Sequence, residues 1–235
     1  LFDRNSKPYA LTAGGESLLK IAREAEAALL KIDSQILGAR VAPSGTVKVS
    51  APANIASNVM PLVIRALRTE FPQISIDLSI SESYSALEQR TVDIAIAAVS
   101  SPPDHLFGAY LITLGWWLYG DDAAHKAYKN NPQSVNLIAP SPSLVSKEIS
   151  NWIAEQHNEV VAHCDSYTVL AKMAKLGIGC AVLPEDQTFE ELRALVRIPA
   201  MYGQLWLLAH PEIQKQPHVA AVWDAIITAM TEEYG

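Results

Sequence analysis

No apolar run in these 235 residues is longer than a strand; Leu205 to Ala209 is among the longest, and Ala194 to Ile198 is broken by Arg197. A membrane helix needs roughly 20 apolar residues, so none is expected. The opening Leu1-Phe2-Asp3-Arg4 lacks the basic segment, apolar run and small-residue cleavage site of a signal peptide. It also lacks an initiating Met, so the chain reads as starting within a domain. Cysteine is scarce: Cys164 and Cys180 are the only two, too few for a disulfide framework and suited to a reducing cytoplasm. The six histidines (105, 125, 157, 163, 210 and 218) show no His-Glu-x-x-His spacing. His163 and Cys164 are adjacent, so on a strand they face opposite ways and make a poor metal pair. There is no Gly-x-Ser-x-Gly elbow and no phosphate-binding glycine loop. Ser17-x-x-Lys20 matches a hydrolase pattern, but it lies on a helical repeat with no pocket. No catalytic set, metal or cofactor is expected.

What is present is a core. Hydrophobic residues make up 49% of the chain and charged ones 18%, enough for one large soluble domain or two lobes. The net charge of −7 is uneven. Residues 1–40 carry six Lys/Arg against five Asp/Glu, leaving twelve against twenty for residues 41–235. Phosphate backbones are bound by clustered Lys and Arg, so the larger part is a poor nucleic-acid binder by itself.

Thr12 is a good N-cap, and from there to Gly38 the spacing predicts one helix of about 27 residues, about 40 Å long. Gly38 supplies a stop, and Pro43 with Gly45 a linker. Leu11, Gly14, Leu18, Ile21, Ala25, Ala28 and Ile32 recur at heptad spacing, widened by Ala22, Leu29 and Ile36. Such a helix either lies on its own domain or pairs with a second copy. Its length and the linker behind it favour pairing.

Beyond the linker, strand and helix patterns alternate. Strands are expected at Thr46–Ser50, Ile74–Ile80, Val92–Val99, Trp116–Tyr119, Leu137–Ala139, Val160–His163, Cys180–Leu183, Ala194–Ile198 and Gln204–Ala209. Helices are expected at Asn54–Phe71, Ser83–Arg90, Leu144–His157, Asp165 or Ser166 to Leu176, and Val219–Glu232. Pro61 either bends the first of these or sits in its first turn. Gly177-x-Gly179 follows a helix and reads as its stop. Alternating β-α-β units imply an α/β fold with parallel strands. Trp116, Trp117 and Trp206 fall on strands, where core packing is the expected role.

Leu1-Phe2-x-Arg4 with Tyr9-x-Leu11-Thr12-x-x-Gly15 resembles the close of the winged helix-turn-helix in LysR-type transcriptional regulators. In that family a wing strand runs into a long linker helix that pairs two subunits. Further along, Gly45-Thr46-Val47-Lys48-Val49, Phe71-Pro72-x-Ile74-x-Ile76, Asp93-Ile94-Ala95-Ile96, Gly177-x-Gly179 with Leu183-Pro184, and Leu205-Trp206-Leu207 to His210-Pro211 resemble the effector domain in order and spacing. The resemblance implies a two-lobed domain like the type II periplasmic binding proteins. Residues 1–11 would end the wing and 12–40 form the dimerisation helix. Residues 45–112 and 207–235 would form effector lobe I, and 113–206 lobe II, with crossovers near Leu111–Leu118 and Tyr202–Ala209. It also implies a cytoplasmic homodimer or tetramer that binds DNA as a full-length regulator, though not through this chain alone.

Ligands of open α/β sheets bind beyond the carboxyl ends of the strands, near helix N-termini. That rule and the resemblance select Pro52, Ala53, Asn54 and Ile55, then Ala98, Val99 and Ser100, then Asp165, Ser166 and Tyr167. The expected effector is small and partly apolar, with a carboxylic acid among the candidates. The plainer reading of the same residues is ordinary loops and caps. A solute-binding transport component would share the lobes but leave the heptad helix unexplained. An enzyme would need an acid–base or nucleophile set that the sequence lacks.

Overall fold

In a computed structural model the chain divides into two units, Leu1–Ala42 and Pro43–Gly235. The structure describes residues 2–3, 10–11, 14, 18, 21, 42–187 and 189–234. In the first unit, β1 (Phe2–Asp3) pairs antiparallel with β2 (Ala10–Leu11), Phe2 facing Leu11. Gly14, Leu18 and Ile21 are helical, with Leu18 50% and Ile21 60% exposed. The remainder of the expected helix Thr12–Gly38 lies outside the described residues.

The second unit opens on β3 (Gly45–Ala51), where Val47, Val49 and Ala51 turn inward. The expected single helix after it is two: α1 (Ala53–Asn58) and α2 (Met60–Glu70), separated at Val59. Pro61 sits in the first turn of α2, where its missing N–H costs nothing. β4 (Ile74–Ile80), α3 (Ser85–Glu88) and β5 (Ile94–Ala98) follow. β6 (Phe107–Gly120) is far longer than the Trp116–Tyr119 segment legible in the sequence. Next come α4 (Asp122–Asn130), a helix absent from the sequence reading that packs Ala124, Ala127 and Tyr128 on the second core, and β7 (Leu137–Pro140). α5 (Lys147–Glu155), β8 (Val160–Cys164), α6 (Tyr167–Lys175) and β9 (Cys180–Pro184) follow.

The sequence suggested two strands at residues 194–198 and 204–209, but the chain forms one, β10 (Arg193–Ala209). Pro199 invited the break. It lies where the pairing with β6 slips between Arg197 and Tyr202, so no regular ladder bond is asked of it. Short α7 (Pro211–Gln214) and long α8 (Pro217–Tyr234) close the chain.

All eight strands of this unit form one sheet in the order β4-β3-β5-β10-β6-β9-β7-β8. β3 is parallel to β4 and β5, and β7 is parallel to β8 and β9. Between these two parallel sets, β6 and β10 run antiparallel. One hydrophobic core gathers β3, α1, α2 and α8; another gathers β7, β9, α5 and α6. β10 serves both, placing Leu205 and Leu207 in the first and Ile198 in the second. Among the described residues no helix is long and apolar enough to cross a membrane.

Candidate ligand-binding cleft

A cleft of about 550 Å³ opens beside β6 and β10, between the end of β5 and the start of α5. Sites for small ligands fall in this size range. Ala98, Val99 and Ser100, at the carboxyl end of β5, form one wall. Leu144, Ser146, Glu148 and Ile149, from the loop after β7 and the start of α5, form the other. Trp116 of β6 with Gly203 and Gln204 of β10 complete it. A Cβ at Gly203 would come within 3.7 Å of Trp116 Nε1, so the bare glycine leaves room beside the indole.

The wall around α5 is set by its cap. Ser146 Oγ accepts from Ile149 N at 3.5 Å. The exposed Glu148 carboxylate is held below the usual range by its own backbone N–H, and then by the Ser146 hydroxyl. Trp116 is held from behind by Tyr167, edge to face at 5.6 Å between ring centroids. The Tyr167 hydroxyl donates to Leu144 O at 2.7 Å, tying the first turn of α6 to the cleft wall. Burial pushes that phenol well above its ordinary pKa, and the nearby Glu82 and Asp186 push it further.

A polar clasp joins α1 to the loop after β9. Asn54 Nδ2 donates to Asp186 O at 2.9 Å and to Asp186 Oδ2 at 2.7 Å, and Gln187 Nε2 donates to Asn54 Oδ1 at 2.7 Å. Asn54 is 7% and Gln187 5% exposed. Beside them Glu82 Oε1 accepts from Ala53 N at 3.4 Å. Burial raises Glu82 above the usual carboxylate range and lifts Asp186 to about 6 against the bond from Asn54; Glu82 and Glu185 add to the rise.

Of the ten residues selected from sequence, Ala98, Val99 and Ser100 line the cleft. Pro52 and Ile55 are buried, Ile55 in the first core, and Ala53 opens α1. Asn54 forms the clasp. Ser166 caps α6 by accepting from Val169 N at 3.4 Å, Asp165 is exposed beside it, and Tyr167 backs Trp116. Sequence reasoning passed over the 144–149 segment, although it follows the carboxyl end of β7 and the strand-end rule reaches it. Trp116 was expected only to pack; it is 8% exposed and also presents a face to the cleft.

Residues 40–231 match the family described as the LysR substrate binding domain. The chain is 23% identical over 198 residues to the HTH-type transcriptional activator IlvY of Haemophilus influenzae, covering 79% of this chain and 68% of that one. It superposes on full-length LysG from Corynebacterium glutamicum with bound effector Arg, with a TM-score of 0.72 at 18% identity over 99% of this chain and 82% of the other. It also superposes on the effector-binding domain of QuiR in complex with shikimate, with a TM-score of 0.64 at 12% identity over 82% of this chain and all of that one. The chain therefore belongs to the LysR family of transcriptional regulators, and its α/β sheet unit is the effector-binding domain of that family.

Proposed function

We propose that the chain senses a small molecule held in the cleft between lobe I (45–112 and 207–235) and lobe II (113–206), and dimerises through residues 12–38, whose heptad spacing predicts a helix. The observation that carries this reading is the cleft itself. One wall is the end of β5, where Val99 packs on a small cluster of Leu87, Ala95, Leu106 and Leu208. The other is the start of α5, where Ile149 belongs to the second core, and β6 and β10 lie between β5 and β9 in the sheet. A ligand touching both walls binds one lobe arrangement better than another, and that difference is what shifts a conformational equilibrium. LysG and QuiR, with the same fold, hold arginine and shikimate respectively. DNA contact would fall outside residues 41–235, with their twelve Lys/Arg against twenty Asp/Glu.

A thermal-shift screen of small metabolites on the whole chain tests the site. A binding compound should raise Tm, and Ala98→Phe, which fills the β5 wall, should abolish the rise. Compounds that stabilise Ala98→Phe as well as the parent would place binding elsewhere.

A further inference from the structure

The electrostatics of this cleft point to a ligand class, an inference that rests on the cleft being the effector site. Carboxylates are usually taken at this end of a sheet by free N–H groups at helix N-termini. Here some of those groups are already answered from within the protein. At α5 the Ser146 hydroxyl takes Ile149 N, and Glu148 takes its own N–H. At α6 the Ser166 hydroxyl takes Val169 N, and at α1 the Glu82 carboxylate takes Ala53 N. Two of the three helix starts thus already hold an acidic side chain.

No Lys, Arg or His stands among the described residues lining the cleft, and its single charged group is Glu148. Behind Trp116, Tyr167 feels the charges of Glu82 and Asp186. Glu148 gives the lining a negative group, and the Trp116 indole adds a surface that attracts cations. An incoming carboxylate would meet Glu148 with no lining cation to offset the repulsion.

We propose that the effector is a cation: a small molecule whose amine or guanidinium group pairs with Glu148 and whose stem lies along Trp116, Leu144 and Ile149. Ser100 and Gln204 would take its remaining polar groups. This replaces the carboxylic acid that the strand-end rule suggested.

Calorimetric and thermal-shift titrations of the whole chain test the sign of charge. The probes are agmatine and putrescine, which are cations without a carboxylate, and shikimate, a carboxylate without a cation. Agmatine or putrescine should bind saturably at millimolar concentration or below, with shikimate at least tenfold weaker. Raising salt to 0.5 M should weaken the cation. Glu148→Gln should cut its affinity at least fivefold, whereas Glu148→Asp, which keeps the charge, should largely restore it. Tighter binding of shikimate, no shift with either cation, or affinity unchanged by Glu148→Gln overturns the proposal. If shikimate binds and Ala98→Phe abolishes that binding, the charge class is wrong and the cleft reading stands. If the cation binds equally well to Ala98→Phe, both fail.

Discussion

The Asp186 carboxyl is lifted to about 6 from an ordinary 3.8 by burial, while Asn54 donates to its Oδ2 and to the Asp186 backbone carbonyl. A raised acid favours the protonated folded state. Its contribution is therefore most favourable below about pH 4 and is lost as pH rises through 6, where both folded and unfolded forms are ionised. The full difference is about 3 kcal/mol. Asp186→Asn keeps an acceptor for Asn54 and removes the buried charge. It should stabilise the protein by about 1–2 kcal/mol at pH 8 and flatten the dependence between pH 4 and 7. Urea denaturation at both ends of that range measures it; a variant less stable than the parent at pH 8 would mean that the charged bond from Asn54 outweighs burial. Asn54→Ala should instead cost about 2 kcal/mol, because it strands both Asp186 and Gln187. None of this was legible in sequence. The strand-end rule and the family resemblance select Asn54 as a ligand contact, and its partners lie more than 130 residues away.

Elements were more legible than contacts wherever periodicity or a stop signal was local. α6 ends as its sequence dictates: Gly177 has φ +72°, its N–H reaches Ala174 O at 3.0 Å, and Ile178 N reaches Met173 O at 3.2 Å. Gly177→Ala should destabilise by about 1 kcal/mol through the left-handed backbone, with Asp121 Oδ2 only 3.0 Å from the added Cβ. Thermal melts of the variant check it, and an unchanged Tm would show the cap to be dispensable. β10 shows the opposite case. Pro199 and Gly203 punctuate the sequence, yet the strand continues because β6 tolerates a slipped register around the proline. That tolerance is a property of the partner strand, so no window of β10 alone could reveal it. The cleft followed the same division. Ala98 to Ser100 were found by the strand-end rule, whereas Gly203 and Gln204 sit in the middle of β10, where the rule does not look.

Two cores share two long strands, and the Asn54–Asp186 clasp is a second tether between them, so a ligand that favours one arrangement of the cores would act through these links. A sensor built this way needs somewhere to send the motion, and the apolar positions of the first unit offer a second copy of the chain. Leu18 and Ile21 are helical, one turn apart and more than half or half exposed, with Gly14 a turn earlier on the same heptad stripe. Exposed apolar residues at that spacing are stabilised by pairing with an equivalent helix, each knob entering a hole on its partner. Light scattering of the 25.5 kDa chain should then give about twice that mass at micromolar concentration. Replacing Leu18 and Ile21 together by Glu should return the monomer mass, since charges on the seam cannot be buried cheaply. The melting of the sheet unit should be little changed, because these two side chains belong to the other unit. A double variant that keeps the parent mass would place the dimer contact on the sheet unit instead, and the signal would then have to pass between copies without the helix.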